Sequence, residues 1–436
     1  MDILIPIETA SRELTYKVHL CNLLACEGFS CYIGSKSQIN ILLGFFTNYI
    51  YLDKGYHPKV SDSLYAIIKK NKGTIVSLDE EGAVDYSDSS TLKHRYSIDL
   101  FKNADFVFLW GEKIYDLIKD KILDKNKVKI TGHPRFDLLK SQFHYIYRKD
   151  ADRIRERYGK FILINTNMGF GNNIKGDNFV LENYRGRFPD IEKIIEFDKK
   201  KIKVFNSLIT KLSKVTHKTI IIRPHPEEKH SLYNNFFSNL KNVKVVYDNS
   251  VVPWLLACEK MIHPDCTTAI EAYFIGKTPL SFLPKDSSNY MVTEVPLNIS
   301  IQFDDEDLII DYLREKHHDK SAHSAYKDEI VEGYFAYSKP SLILIVSQLS
   351  AIKNQINNIL LNKLKLHQII QLKFKILFRN FWKRIKNLKL KDSKLKGFNY
   401  NTLKLNLNEI QNQERINEIK LKKINNELFC FIKKDI

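Results

Sequence analysis

Short apolar runs alternate with stretches whose apolar residues fall three or four apart, and this alternation fills the first 280 or so residues. Residues 3–7, 31–33, 49–52, 74–78, 106–109 and 128–131 read as strands. Their continuous apolar character predicts a parallel sheet buried on both faces. Residues 12–27 read as a helix, with Leu14, Val18, Leu20, Leu23 and Leu24 on one face and Gly28 after the last turn. Residues 61–71 and 113–121 read as further helices. A charged helix over 149–158 then leads to a second alternating series. Its strands fall at 161–165, 219–222, 243–247, 260–262 and 279–282, with helices at 191–215 and 267–275. Residues 166–189, with four glycines, read as a long loop. Strand and helix in alternation predict α/β architecture with two Rossmann-like domains facing a cleft, the GT-B plan.

Beyond about residue 349 the pattern changes. Gly and Pro nearly vanish, and Ile356, Ile359, Leu360, Leu364, Ile369, Ile370, Phe374, Leu377, Phe378, Phe381 and Ile385 keep near-helical spacing among lysines. The expected organisation is therefore two Rossmann-like domains, N-terminal 1–148 and C-terminal 149–349, and a basic amphipathic helical tail, 350–436.

Charge sharpens this division. The net charge is +17, and residues 351–436 hold 20 Lys and Arg against 6 Asp and Glu. The body is near balance, which argues against nucleic acid as a partner. The tail suits an anionic membrane surface. Six cysteines without metal-type spacing suit reduced thiols. No signal-like or membrane-spanning run is evident, so the expected location is the cytoplasm, peripheral to the inner face of the membrane.

In open parallel sheets, ligands bind beyond the carboxyl ends of strands. Asp79-Glu80-Glu81-Gly82 follows one strand directly. Mutual repulsion predicts a raised pKa for at least one carboxylate, suiting a general base; a solvated acidic turn is the competing reading. Arg223-Pro224-His225-Pro226-Glu227 follows another strand, where two prolines stiffen a loop presenting Arg223 and His225 to a phosphate. In His263-Pro264-Asp265-Cys266-Thr267-Thr268, Thr267 or Thr268 is expected to cap the next helix, with Glu271 one turn in, near a ribose. Thr166, Asn167, Gly169 and Asn172 form a loop of small and amide residues, for which close approach to a ligand and a flexible surface loop are equal readings. Weaker candidates on the acceptor side are Arg12, Glu13, His133 and Arg135.

An acidic motif before glycine in the first half, with a His-Pro motif in the second and a hydroxyl pair opening the next helix, resembles the bacterial GT-B transferases that use CMP-sialic acid or CMP-Kdo. The runs IPIE, LDEEGAVD, TGHPRFD, NTNMGFGN, RPHPEE and HPDCTTAIEA are similar to surface carbohydrate biosynthesis proteins, across residues 1–340. The resemblance implies a catalytic carboxylate at Glu81 or Glu80, with Asp265 a further candidate. It also implies that His225 and Pro226 bind the CMP phosphate beside Thr267 and Thr268. The usual sialyltransferase motif has Asp before the glycine, so the choice between Glu80 and Glu81 stays open, as does retention or inversion. The implied partners are a nucleotide-sugar donor and a glycan or lipid-linked acceptor, with no cofactor and no metal. Transfer of a polyol phosphate from CDP-glycerol or CDP-ribitol is the rival, disfavoured by repulsion between the carboxylates and a phosphate. A UDP-sugar donor, or a membrane-docked scaffold without catalysis, stands further off.

Overall fold

The computed structural model describes residues 1–434 except 84, 87, 88, 187, 249, 288–291, 316–323, 357–370, 372, 373, 376, 377, 379–392, 416 and 417. It divides into two units, one of Met1–Ala83, Leu92–Leu138 and Val331–Ile436, the other of Val84–Thr91 and Leu139–Ile330.

The first unit holds an eight-stranded sheet. Its parallel part comprises β1 (Asp2–Ile7), β2 (Ser30–Ser35), β3 (Ile50–Asp53), β4 (Thr74–Leu78), β5 (Phe106–Leu109) and β6 (Val128–Ile130). The second unit holds a six-stranded parallel sheet of β7 (Phe161–Asn165), β8 (Thr219–Arg223), β9 (Val243–Val245), β10 (Lys260–His263), β11 (Pro279–Phe282) and β12 (Ile301–Phe303). Helix Ile191–Val215 covers that sheet, burying Phe205, Leu208, Ile209 and Leu212 against Ile162, Ile164, Ile220 and Ile222. Each such aliphatic side chain contributes about 1.5–3 kcal/mol on burial.

Strand order places the sites. In the first sheet β1 lies between β2 and β3, and in the second β7 lies between β10 and β8. At each place the order reverses, which opens a crevice above the carboxyl ends of those strands.

Three features depart from the sequence reading. Residues 166–189 are not one long loop: helix Asp177–Tyr184 forms within them, beside a cluster of Val180, Phe188, Phe170 and Tyr184. Helix Ser341–Ile356, expected to end the second domain, belongs to the first unit. There the Leu342 amide donates to the Asp137 carboxylate at 2.7 Å and Lys353 Nζ to the Glu27 carbonyl at 2.6 Å.

The third departure is the tail, which is not helical throughout. Helix Tyr400–Glu414 buries Leu403, Leu407 and Ile410 and packs on helix Ala10–Cys26. The chain then forms a hairpin of β13 (Ile419–Asn425) and β14 (Leu428–Lys433), and β14 pairs antiparallel with β2. A Cβ on Gly34 would come within 2.8 Å of the Leu428 side chain and 2.9 Å of the Glu427 carbonyl, so only glycine admits the hairpin there. Phe374 and Phe378 are exposed. The other helical positions singled out from 359 to 385, Phe381 among them, lie outside the described residues. Among the described residues no helix is long and apolar enough to cross a membrane.

Candidate functional site

In the first unit, Asp79, Glu80 and Glu81 form the turn after β4, and each carboxylate has a different environment. Asp79 is buried, and both its oxygens accept from Arg95 Nη1, at 3.2 and 3.3 Å. Glu80 is also buried, its Oε1 bonded to the Tyr16 hydroxyl and 2.9 Å from Lys17 Nζ. Glu81 alone reaches solvent, with its side chain 49% exposed. Arg12 Nη1 donates to its Oε1 at 3.0 Å, and Arg95 Nη2 binds its Oε2.

The expected raised carboxylate is absent from this pair. Burial would raise Glu80, but Lys17, Arg12 and Lys54 hold it below the ordinary carboxylate value. Burial would likewise raise Glu81, but Arg95 and Arg12 hold it at about 2. Cations between the carboxylates outweigh the repulsion that the bare sequence suggests.

Two of the acceptor-side candidates lie behind this surface. Glu13 is fully buried, accepting from Lys17 Nζ at 2.7 Å, Lys54 Nζ at 3.1 Å and the Thr9 amide at 2.9 Å. It ties the loop after β1 to Lys54, just past β3, where the strand order reverses. His133 is fully buried too; its Nδ1 accepts from the Arg135 amide at 3.1 Å, which leaves the proton on Nε2. Burial, with Arg135, Lys17 and Arg12 close by, pushes this imidazole well below its usual range. Both residues support the site without facing an acceptor. Arg12 and Arg135 are partly exposed.

In the second unit the loops after β7, β8 and β10 are laced together. The centre is Glu228, fully buried, which the sequence reading passed over. Its Oε1 accepts from the Thr166 hydroxyl at 2.6 Å, the Met168 amide at 3.1 Å and the His225 amide at 3.1 Å. Its Oε2 accepts from the Tyr233 hydroxyl at 2.5 Å. The only sequence signal was a second carboxylate following Pro226. His225 is half-buried, and its Nδ1 accepts from the Glu227 amide at 3.3 Å, so Nε2 carries the proton. A Cβ on Gly169 would sit 3.5 Å from that Nδ1.

The loop after β7 is therefore held rather than flexible. Asn172 Nδ2 donates to the Lys229 carbonyl at 3.2 Å, and Asp198 accepts the amides of Phe170 and Gly171 at 2.9 and 3.2 Å. Asn167 Nδ2 lies 3.5 Å from Asp265, and Asn165 Nδ2 donates to the Thr268 hydroxyl at 3.0 Å. These last two contacts bridge β7 and β10, where this sheet reverses.

Asp265, a candidate catalyst, is buried; Lys201 binds one oxygen at 3.4 Å and the Thr293 amide the other at 3.1 Å. These contacts tie the loop after β10 to helix Ile191–Val215 and to Thr293. Neither Thr267 nor Thr268 caps the following helix: Thr267, at the cap position, makes no side-chain bond, and the Thr268 hydroxyl donates to Cys266 Sγ at 3.2 Å. Thr267 is exposed, and Thr268 and Glu271 are partly so. Arg223 is buried, its Nη1 donating to the Asp248 carbonyl at 2.7 Å, while Pro226 is exposed and Glu227 half-buried. All six cysteines are free. Among the described residues no group of three or more His, Cys, Asp or Glu is arranged to hold a metal ion.

No family model matches the chain, and no curated protein matches its sequence. Solved structures do. A histidine-substituted form of the wall teichoic acid polymerase TagF aligns with a TM-score of 0.51 at 9% identity, over 82% of this chain and 89% of that one. The UDP-GlcNAc 2-epimerase of Methanocaldococcus jannaschii, in complex with UDP-GlcNAc and UDP, aligns with a TM-score of 0.51 at 13% identity, over 80% of this chain and 100% of that one. The fold is GT-B. At these identities the likeness extends to the fold alone, and chemistry rests on the GT-B side chains themselves.

Proposed function

We propose that this GT-B protein is a transferase that moves a nucleotide-activated acidic group onto a growing surface glycan. The second unit holds the nucleotide, with His225 Nε2, Asn167, Gly169 and the Thr267–Thr268 hydroxyls toward the phosphate. Glu81 acts on the acceptor hydroxyl. The observation that carries this reading is Glu81 itself, the one carboxylate of its turn open to solvent and clasped by Arg12 and Arg95.

A carboxylate held at about 2 is a poor base as it stands. A substrate carboxylate or phosphate that engages Arg12 and Arg95 draws those cations away, and the proton affinity of Glu81 then rises. An acidic donor thus switches on its own base. A CMP-activated acidic sugar, of the Kdo or sialic acid kind, meets this requirement.

So does a polyol phosphate, and one observation favours keeping that reading. The carboxylates of the turn are paired with Arg12, Lys17 and Arg95, so they do not repel a phosphate as bare charges would. TagF has also been solved after soaking with CDPG. A donor screen with the full chain separates the cases. CMP release from CMP-Kdo or CMP-sialic acid, dependent on an acceptor glycan, supports the first; turnover of CDP-glycerol alone supports the second; turnover of neither sinks the transferase reading.

We further propose that residues 357–392, with 10 Lys and Arg against 1 Asp, bring the protein to the anionic inner membrane face, where a lipid-linked acceptor resides.

A further inference from the structure

We propose that the ring of Tyr247 is the platform on which the base of a nucleoside phosphate stacks. This rests on the reading of the second unit as the nucleotide-holding one, and it adds a residue that no motif singled out. Tyr247 stands just past the carboxyl end of β9, neighbour to β8, whose end carries Arg223 and the His225 loop. The Arg223 guanidinium lies 5.1 Å from the Trp254 ring centroid and 5.9 Å from that of Tyr247. Arg223 and Trp254 are tied at one point beside Tyr247, because Arg223 Nη1 and Trp254 Nε1 both donate to the Asp248 carbonyl, at 2.7 and 3.2 Å. The His230 ring packs against Tyr247 at 5.1 Å, tilted by 49°.

Trp254 and Arg223 are buried at 3% and 7% exposure, yet Tyr247 beside them stays 41% exposed. Burying a guanidinium is costly, so a buried arginine spent on steadying an exposed ring implies a use for that ring. An aromatic held by its neighbours and partly open to solvent binds flat π-systems at little entropic cost. Neighbouring strands lie ~4.8 Å apart. The strand ends that carry His225 and Tyr247 are thus about one strand spacing apart, on the scale of a ribose. Stacking does not read hydrogen-bond patterns, so the platform accepts any nucleobase.

Calorimetric titration of the full chain with CMP and with ribose 5-phosphate, which lacks the base, tests this. The wild type is expected to bind CMP more tightly than ribose 5-phosphate. Tyr247→Ala should weaken CMP by roughly 5- to 100-fold, toward the ribose 5-phosphate value, and leave ribose 5-phosphate within about twofold. Tyr247→Phe should keep the CMP affinity. Tyr247→Leu, which keeps a cover over Arg223 without a π face, should behave as the alanine variant does and guards against a simple packing loss. Unchanged CMP affinity in the alanine and leucine variants, equal loss for both ligands, or loss in the phenylalanine variant would each overturn the platform while leaving the nucleotide reading intact. A wild type that binds none of CMP, CDP and UMP sinks both.

Discussion

His133 points Nε2 at Oε2 of Glu80 across 3.7 Å, and neither atom has a hydrogen-bond partner among the described residues. Both groups are buried, with Tyr16 and Lys17 on the other carboxylate oxygen. Glu80 is therefore the internal support of the acidic turn, and Glu81 the carboxylate it turns to solvent.

The two glutamates should part company on substitution. Glu80→Gln leaves Lys17 with one buried partner fewer and should cost about 3–5 kcal/mol of stability. Glu81→Gln removes only exposed pairs, worth less than about 1 kcal/mol, yet should abolish transfer. Urea unfolding alongside a transfer assay decides. A stable, active Glu81→Gln protein would refute the assignment.

Acid should weaken the second unit through His263. Burial holds this imidazole at about 3, with its Nδ1 accepting from the Cys266 amide at 3.1 Å and Nε2 paired with the Ser300 hydroxyl at 2.9 Å. The unfolded chain titrates near 6.5, so between these values the unfolded state takes up a proton that the folded state refuses. Stability then falls as pH drops below about 6.5, by at most about 1.4 kcal/mol per pH unit. Denaturation midpoints at pH 7 and pH 5 should differ in the wild type and differ less in His263→Gln, the remainder coming from buried His133. The same midpoint shift in both proteins assigns the effect to another group.

Glu228 should matter beyond stability. Glu228→Gln keeps the shape but replaces one acceptor oxygen with a donor, facing either the Tyr233 hydroxyl or the amides of Met168 and His225. A loss of about 1–3 kcal/mol is expected, with donor KM raised about tenfold and kcat nearly kept. If kcat falls while KM holds, Glu228 acts on the chemistry and not on the donor loop.

Membrane docking is best tested by neutralising charge, since removing the tail would strip β14 from β2. The full chain should float with anionic vesicles and be released by high salt. Lys383→Gln with Arg384→Gln and Lys386→Gln should float less. Equal flotation by both proteins would remove the membrane from the account.

Much of the fold was legible. Strands Phe161–Asn165 and Thr219–Arg223 carry unbroken apolar cores, at 161–164 and 220–222, because parallel strands are covered on both faces. Positions just after strands likewise marked Glu81 and His225. What stayed hidden depended on partners distant in sequence. Nothing local told that Lys17 and Arg12 would meet Glu80 and Glu81, and so depress rather than raise them. Glu228 looked like one more charge after a proline. The hairpin did leave a trace: Ile419 and Leu421 alternate with Lys420 and Lys422, and Leu428 opens an unbroken apolar run. Lysine-rich surroundings made it read as helix, because both patterns place lysine toward water.

The hairpin also sets a timetable. β2 ends at Ser35 and its outer partner β14 begins at Leu428, so ribosomes working at ~5–20 residues per second leave that edge open for roughly 20–80 s. The second unit is synthesised whole within that interval. A nascent chain therefore carries a naked strand beside a finished neighbour, the situation in which strands capture wrong partners. Gly34, Ser35 and the Glu427 carboxylate, which accepts the Ser35 hydroxyl at 2.8 Å, act late, as a clasp that ends the period of risk.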